Sequence, residues 1–362
     1  VPLGDAQSLA FRFQTNGTYY TALTANFTEP WLFGKKPTSL NLGAYYTRQT
    51  NSYLALNLLR NDRQMEIFGV SASLGTRLKW PDSYFVLYNG LSWQTYKLTN
   101  WYSGYFIFDD GIANNINYSF NLVRNSSDQA LYPRSGSEFS FSLQLTPPFS
   151  LFRKHDFDAD GNKVAVDSYK DVDYSKWNAK QRFKWIEYNK WKFSRTVYTQ
   201  LVGDLVLMTR AQFGYLGYYN RNWGYSPFEG FRVGGDGMSG YNVYGVDIIS
   251  LRGYEDGTLT PSETKYTYAN VYNKYTAELR YPHIMEPQSQ IYALLFAEAG
   301  NGWLSWRDFN PFELKRSMGV GLRIYLPVFG LLGIDWGYGF DKAYNSSNIS
   351  GSQFHFVIGQ QF

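Results

Sequence analysis

Ser250-Leu251-Arg252-Gly253-Tyr254-Glu255-Asp256-Gly257 lies inside a segment, about residues 217 to 270, that is rich in glycine and tyrosine and has no sustained periodicity. A connection of roughly fifty residues without a pattern of its own is uncommon, and is usually functional or disordered. The arginine-glycine-aromatic centre points to an ordered loop with a task. On either side of it the chain changes character. Apolar and polar residues alternate with period 2, the pattern of strands with two unlike faces.

Outward from the loop, the alternation predicts strands at Ser8–Thr15, Thr18–Glu29, Ser39–Thr50, Gln64–Leu78, Tyr84–Leu98, Asn114–Arg124, Gly136–Thr146, Glu187–Val202 and Leu205–Leu216. After it come Asn270–Tyr281, Ser289–Gly300, Ser317–Leu326, Leu331–Phe340 and Ser352–Phe362. These are about fourteen strands, each near the length a tilted membrane-spanning strand needs. Asn16-Gly17 reads as a tight hairpin, and no stretch reads as a helix. In the clearest strand, Leu332, Ile334, Trp336, Tyr338 and Phe340 alternate with Gly333, Asp335, Gly337 and Gly339. From Glu29 onward the connections alternate between short turns, such as Gly203-Asp204, and long loops, the habit of outer-membrane barrels. The tight Asn16-Gly17 hairpin, on the long-loop side, is the exception. Phe354, Phe356, Ile358 and the terminal Phe362 share one face of the last strand, an arrangement similar to the aromatic C-terminal sorting signal of such barrels.

Composition agrees. Aromatic residues make up 19% of the chain, with 32 tyrosines and 33 glycines, and there is no run of apolar residues long enough for a membrane helix. The absence of cysteine excludes disulfide scaffolds, thiol nucleophiles and cysteine metal clusters. The net charge of +4 is spread along the chain and does not argue for nucleic acid. Against an enzyme stand the three dispersed histidines, His155, His283 and His355, and the lack of a Gly-x-Ser-x-Gly nucleophile motif. His283 reads as part of a short turn and His355 as an ordinary polar residue of the last strand. Gly235-Asp236-Gly237-Met238-Ser239-Gly240 matches a dinucleotide fingerprint in letters only, because no helix pattern follows it. Asp156, Asp158, Asp160 and Asn162, with Asp167 at the twelfth position, resemble a calcium loop, although Asp stands where Glu is usual and flanking helices are lacking. Calcium is thus the single cofactor expectation, with a solvated acidic turn as the alternative.

Leu251-Arg252-Gly253-Tyr254 resembles the Val-Arg-Gly-Phe signature of BamA-type outer-membrane assembly barrels, with Tyr for Phe. Further matches follow in order: Phe27-Thr28-Glu29-Pro30-Trp31, Tyr132-Pro133-Arg134-Ser135-Gly136, Phe231-Arg232-Val233-Gly234-Gly235, and the tail from Gly319 to Asp335. The resemblance covers essentially the whole chain. It implies one all-β domain over residues 1–362, a transmembrane antiparallel β-barrel. Aligned by motif, the chain holds strands three to sixteen of an expected sixteen, without the first hairpin or the POTRA domains, so that Ser8–Thr15 is expected at a sheet edge. It further implies that the loop at about 217–270 enters the barrel and that Arg252 pairs with Glu278 and Glu298. Glu278 falls on the polar phase of its strand; Glu298 shares a phase with Tyr292, Leu294 and Phe296. Asp335 is the rival partner. The implied function is insertion of client barrels in the outer membrane of a Gram-negative bacterium through a seam that includes Phe354, Phe356, Ile358 and Phe362. The implied partners are outer-membrane lipids, nascent clients and accessory assembly lipoproteins. The alternatives are a sister barrel that exports polypeptides, then a diffusion porin.

Overall fold

A computed structural model describes residues 6–17, 19–32, 38–50, 63–101, 108–158, 162–237, 245–261, 268–286, 289–327 and 330–358. The strands are Ser8–Asn16 (β1), Tyr20–Glu29 (β2), Thr38–Thr50 (β3), Gln64–Arg77 (β4), Phe85–Thr99 (β5), Gly111–Asn125 (β6), Gly136–Leu145 (β7), His155–Phe157 (β8) and Lys163–Ala165 (β9). They continue as Asn189–Gln200 (β10), Val206–Gly217 (β11), Gly230–Val233 (β12), Val246–Ile249 (β13), Val271–Glu286 (β14), Ser289–Trp303 (β15), Lys315–Leu326 (β16), Gly330–Lys342 (β17) and Ile349–Ile358 (β18). Fourteen of them form one sheet, in chain order β1-β2-β3-β4-β5-β6-β7-β10-β11-β14-β15-β16-β17-β18. β8 pairs with β9, and β12 with β13, in two small separate sheets.

The long strands form where alternation predicted them, and the differences lie in the connections. Asn16 pairs with Tyr20 across β1 and β2, so the hairpin closes one residue later than the Asn-Gly pair suggested. β14 runs on to Glu286, which places His283 in a strand rather than a turn. A one-turn helix, Ala179–Arg182, carries a full capping box between Asn178 and Gln181. The long loop holds the parallel pair β12–β13. Four residues per strand are too few for a period to show.

Contacts divide the chain into two compact units. In the first (Val1–Leu122, Ser142–Lys190 and Gly217–Ser226), β2 to β5 pair in register, with Met65, Ile67, Tyr96 and Leu98 buried and Phe68, Val70, Leu91 and Trp93 exposed. Its irregular part is held by aromatic contacts: the Arg153 guanidinium lies 4.7 Å from the Trp177 ring and 5.2 Å from Trp223, and Tyr174 meets Trp223 edge-on at 5.0 Å.

The second unit (Val123–Phe141, Trp191–Leu216 and Pro227–Phe362) contains the long loop and β14 to β18. Its sheet inverts the rule for water-soluble proteins. Leu279, Leu295, Val320, Ile334, Phe354 and Phe356 are exposed on one face, while Glu278, Arg280, Glu298, Arg323 and Asp335 are buried on the other. An apolar exposed face over a charged buried one is stable when lipid, not water, bathes the outside. Registers align the inner face in rows. One row runs Thr276, Glu298, Ser317, Gly339; the next runs Glu278, Phe296, Gly319, Gly337; a third runs Arg280, Leu294, Gly321, Asp335, His355. At the end of this unit, Tyr132 is fully buried and its hydroxyl shares its one proton between the carbonyls of Arg280 (2.8 Å) and Asp204 (3.0 Å). The segment ahead of β7 and the Gly203-Asp204 turn are thereby tied to the same end of the strands.

Candidate functional site

The inner face of β14 to β18 receives the loop tip. Leu251, Arg252 and Tyr254 have no solvent exposure. A backbone bridge between Gly235 and Leu251 sets the tip's approach, with hydrogen bonds of 3.2 and 3.0 Å. Arg252 then reaches the sheet. Its Nη2 donates to Glu278 Oε1 at 2.7 Å and to Glu298 Oε1 at 2.9 Å, and its Nη1 lies 3.4 Å from Asp335 Oδ2. The backbone N–H of Arg252 donates to Glu298 Oε2 at 2.8 Å, so this carboxylate grips main chain and side chain together. The guanidinium also lies 3.7 Å from the Phe296 ring centroid, a cation–π contact with little water to weaken it.

Each carboxylate has a further cation. Arg280 Nε donates to Glu278 Oε2 at 2.8 Å, Lys274 Nζ lies 3.0 Å from Glu298, and Arg323 grips Asp335 with two bonds of 2.7 and 2.8 Å. The arrangement thus matches three carboxylates with four cations, all buried. Such a network adds little net stability, because desolvation offsets the Coulomb attraction. It fixes position instead: any other seat for the loop would strand a buried charge. Pairwise alternation placed Glu278 and Glu298 on the inner face, and the geometry puts Asp335 in the same cluster. Lys274, Arg280, Arg323 and His355 escaped sequence reading. Their inward phase was available from the same alternation, but their partners depend on strand register.

Gly253 allows the closest approach. Its φ is +85°, and a Cβ there would stand 2.9 Å from Ser317 Cβ and 3.0 Å from the Gly339 nitrogen. Gly337 and Gly339 make the room: a Cβ on either would meet the Gly253 backbone at 2.8 or 2.4 Å. These strand glycines serve backbone contact with the loop. The Gly253 N–H donates to His355 Nε2 at 2.8 Å, which requires a neutral imidazole with its proton on Nδ1. His355 is therefore a loop partner, not an ordinary strand residue. The Tyr254 hydroxyl donates to the Arg316 carbonyl at 2.8 Å, a bond that Phe at this position would lack.

The remaining sequence-derived residues fall elsewhere. Phe354, Phe356 and Ile358 are exposed along β18, and Phe362 lies outside the described residues. In the β8–β9 hairpin, Asp156 accepts from Trp177 Nε1 (2.7 Å), Phe157 N (2.7 Å) and Asp173 N (2.9 Å). Burial opposes its ionisation, yet these bonds from Asp173, Trp177 and Phe157 hold the carboxyl below the usual range. Asp158 accepts from Asn162 N at 2.8 Å, Asp167 is exposed, and Asp160 lies outside the described residues. Among the described residues no group of three acidic or histidine side chains could hold a metal ion. Of the Gly-x-Gly-x-x-Gly run, Gly235 and Gly237 have positive φ, and Met238, Ser239 and Gly240 lie outside the described residues.

No curated protein matches this chain. Among solved structures, BamA from Haemophilus ducreyi lacking POTRA domains 1-3 matches with a TM-score of 0.65 and 19% identity, over 98% of this chain and 64% of that one. CdiB from Escherichia coli matches with a TM-score of 0.50 and 12% identity, over 98% of this chain and 56% of that one. The chain therefore spans less than two thirds of either and shares with them a fold, the transmembrane antiparallel β-barrel that the inverted faces call for. A family model described as the Omp85 superfamily domain matches residues 2–362, and with it the chain belongs to the Omp85 superfamily.

Proposed function

We propose that this chain folds client β-barrels and inserts them into the outer membrane of a Gram-negative bacterium. No bond is made or broken; a client strand is templated by pairing with an open strand edge. The observation that carries this reading is the clamp on Arg252. A loop tip seated among three carboxylates fills the inner face of β14 to β18 with side chains, which suits a braced scaffold better than a diffusion pore. The exposed Phe354, Phe356 and Ile358 put apolar side chains of β18 on the lipid side, where a client strand would join. The partners in this reading are nascent clients, outer-membrane lipids and accessory assembly lipoproteins. Polypeptide export is the second reading, favoured by the likeness to CdiB in fold.

The test is reconstitution of the full chain in proteoliposomes with a urea-unfolded client barrel, following its folded fraction by heat-modifiable electrophoretic migration. Assembly predicts client folding several-fold faster than with empty liposomes, and a client that becomes protease-resistant within the bilayer. A client that folds no faster than with empty liposomes, while unfolded polypeptide accumulates in the liposome interior, would replace this reading with export.

A further inference from the structure

The outward face of β10, β11 and β14 to β16 has a dent. Its outward positions hold Ala211, Ala277, Ala297 and Ala299, where neighbouring positions hold Leu, Val and Tyr. Ala277 and Ala297 are direct cross-strand partners, and Tyr275 pairs with Ala211 on one side and Ala299 on the other. One pair further along, Leu279 opposes Leu295, which opposes Val320, and the surface rises again. The small side chains leave an open, mainly apolar groove of about 810 Å³. It belongs to the exposed face, opposite the loop clamp.

Three arginines border it, Arg195, Arg210 and Arg316, and Arg210 Nε donates to Thr196 Oγ1 at 3.0 Å. Arg316 is already used, with its Nη2 3.0 Å from Asp341 Oδ1. Arg195 is exposed, on the same face of β10 as the exposed Trp191, and has no partner among the described residues. A guanidinium cannot shed its charge. On the lipid side of a spanning strand it is costly unless it reaches an interface or an anion. A cation left without a partner among the described residues, at the mouth of an apolar groove, matches a molecule with an anionic head and an aliphatic tail.

We propose that this groove binds one anionic membrane phospholipid, its acyl chain lying over Ala211, Ala277, Ala297 and Ala299 and its phosphate held by Arg195. The planar fork of Arg195 suits two phosphate oxygens at once. The alanine floor supplies depth, so a chain can lie in the surface instead of sliding across it. This inference rests on the membrane-spanning fold and not on client assembly.

Native mass spectrometry of the full chain tests it, after release from nanodiscs of defined phosphatidylglycerol or phosphatidylcholine. Heat-modifiable migration of every variant separates a misfolded barrel from a lost lipid. The wild-type chain should retain one phosphatidylglycerol in preference to phosphatidylcholine. Arg195→Gln should lower phosphatidylglycerol retention by about tenfold, the order expected for a lost charge-assisted hydrogen bond, with phosphatidylcholine unchanged. Ala297→Leu, which fills the floor, should lower both; if it does not fold, Ala299→Val takes its place. Equal phosphatidylglycerol retention by wild type and Arg195→Gln would overturn the proposal. So would displacement of the lipid by inorganic phosphate alone, or a groove found occupied by a protein chain that excludes lipid.

Discussion

Arg252→Glu is expected to release the loop tip from the inner face of β14 to β18. The substitution removes the cation shared by Glu278, Glu298 and Asp335 and adds a fourth carboxylate among them. Removing one partner of a buried ionic network costs about 3–5 kcal/mol, because the remaining charges lie buried and uncompensated; reversal of its sign adds repulsion. Lys274, Arg280 and Arg323 still hold one carboxylate each, so the sheet should persist while the loop leaves. Limited proteolysis within the loop should become rapid, and client folding in proteoliposomes should fall towards the empty-liposome rate. Arg252→Lys separates charge from shape. Lysine keeps the charge but cannot reach two carboxylates with a planar fork, and should show an intermediate loss. A loop equally protected in wild type and Arg252→Glu would remove the clamp from the account.

Gly253→Val is the second large effect. A β-branched residue at φ +85° occupies a conformation that costs about 1–3 kcal/mol. The added Cβ also meets atoms that cannot yield easily, Ser317 Cβ at 2.9 Å, Gly339 N at 3.0 Å and the Tyr338 carbonyl carbon at 3.1 Å. The loop must lift, breaking the Gly253–His355 hydrogen bond. Gly17→Val is the control. Gly17 has φ +58° but nothing within 4 Å of its Cβ, so it carries backbone strain without the clash. Thermal unfolding followed by heat-modifiable migration should place Gly253→Val well below Gly17→Val. Equal midpoints would mean that the tip does not sit against β17.

Much of this was legible in the sequence because a lipid-facing sheet writes its two faces in alternate residues. Leu332 to Phe340 showed one apolar and one glycine-rich face, and β17 exposes Ile334, Trp336 and Phe340 while burying Gly333, Asp335, Gly337 and Gly339. The apolar residues beside Glu298 also had a reason, since Phe296 lies under the Arg252 guanidinium. Register was harder to read. Arg323 and Asp335 meet because Gly321 opposes Asp335 and Arg323 opposes Gly333, a diagonal that shifts with every residue in the intervening turn. Four-residue strands such as β12 and β13 carry too few positions for a period, and their parallel pairing depends on a chain reversal that composition does not encode. His355 differs from its reading as an ordinary polar residue for a related reason: its partner, the Gly253 N–H, comes from a loop about a hundred residues earlier.

Hydrogen exchange of the loop tip, measured on the full chain in lipid nanodiscs, tests the clamp most directly. The Arg252 N–H donates to Glu298 and the Gly253 N–H to His355, both at 2.8 Å and both buried. If the tip is seated as described, these two amides exchange as slowly as the ladder amides of β14 and β15, and Arg252→Glu brings them to the rate of an open loop. Exchange of Arg252 and Gly253 at open-loop rates in the wild-type chain, while β14 and β15 stay protected, would contradict the account.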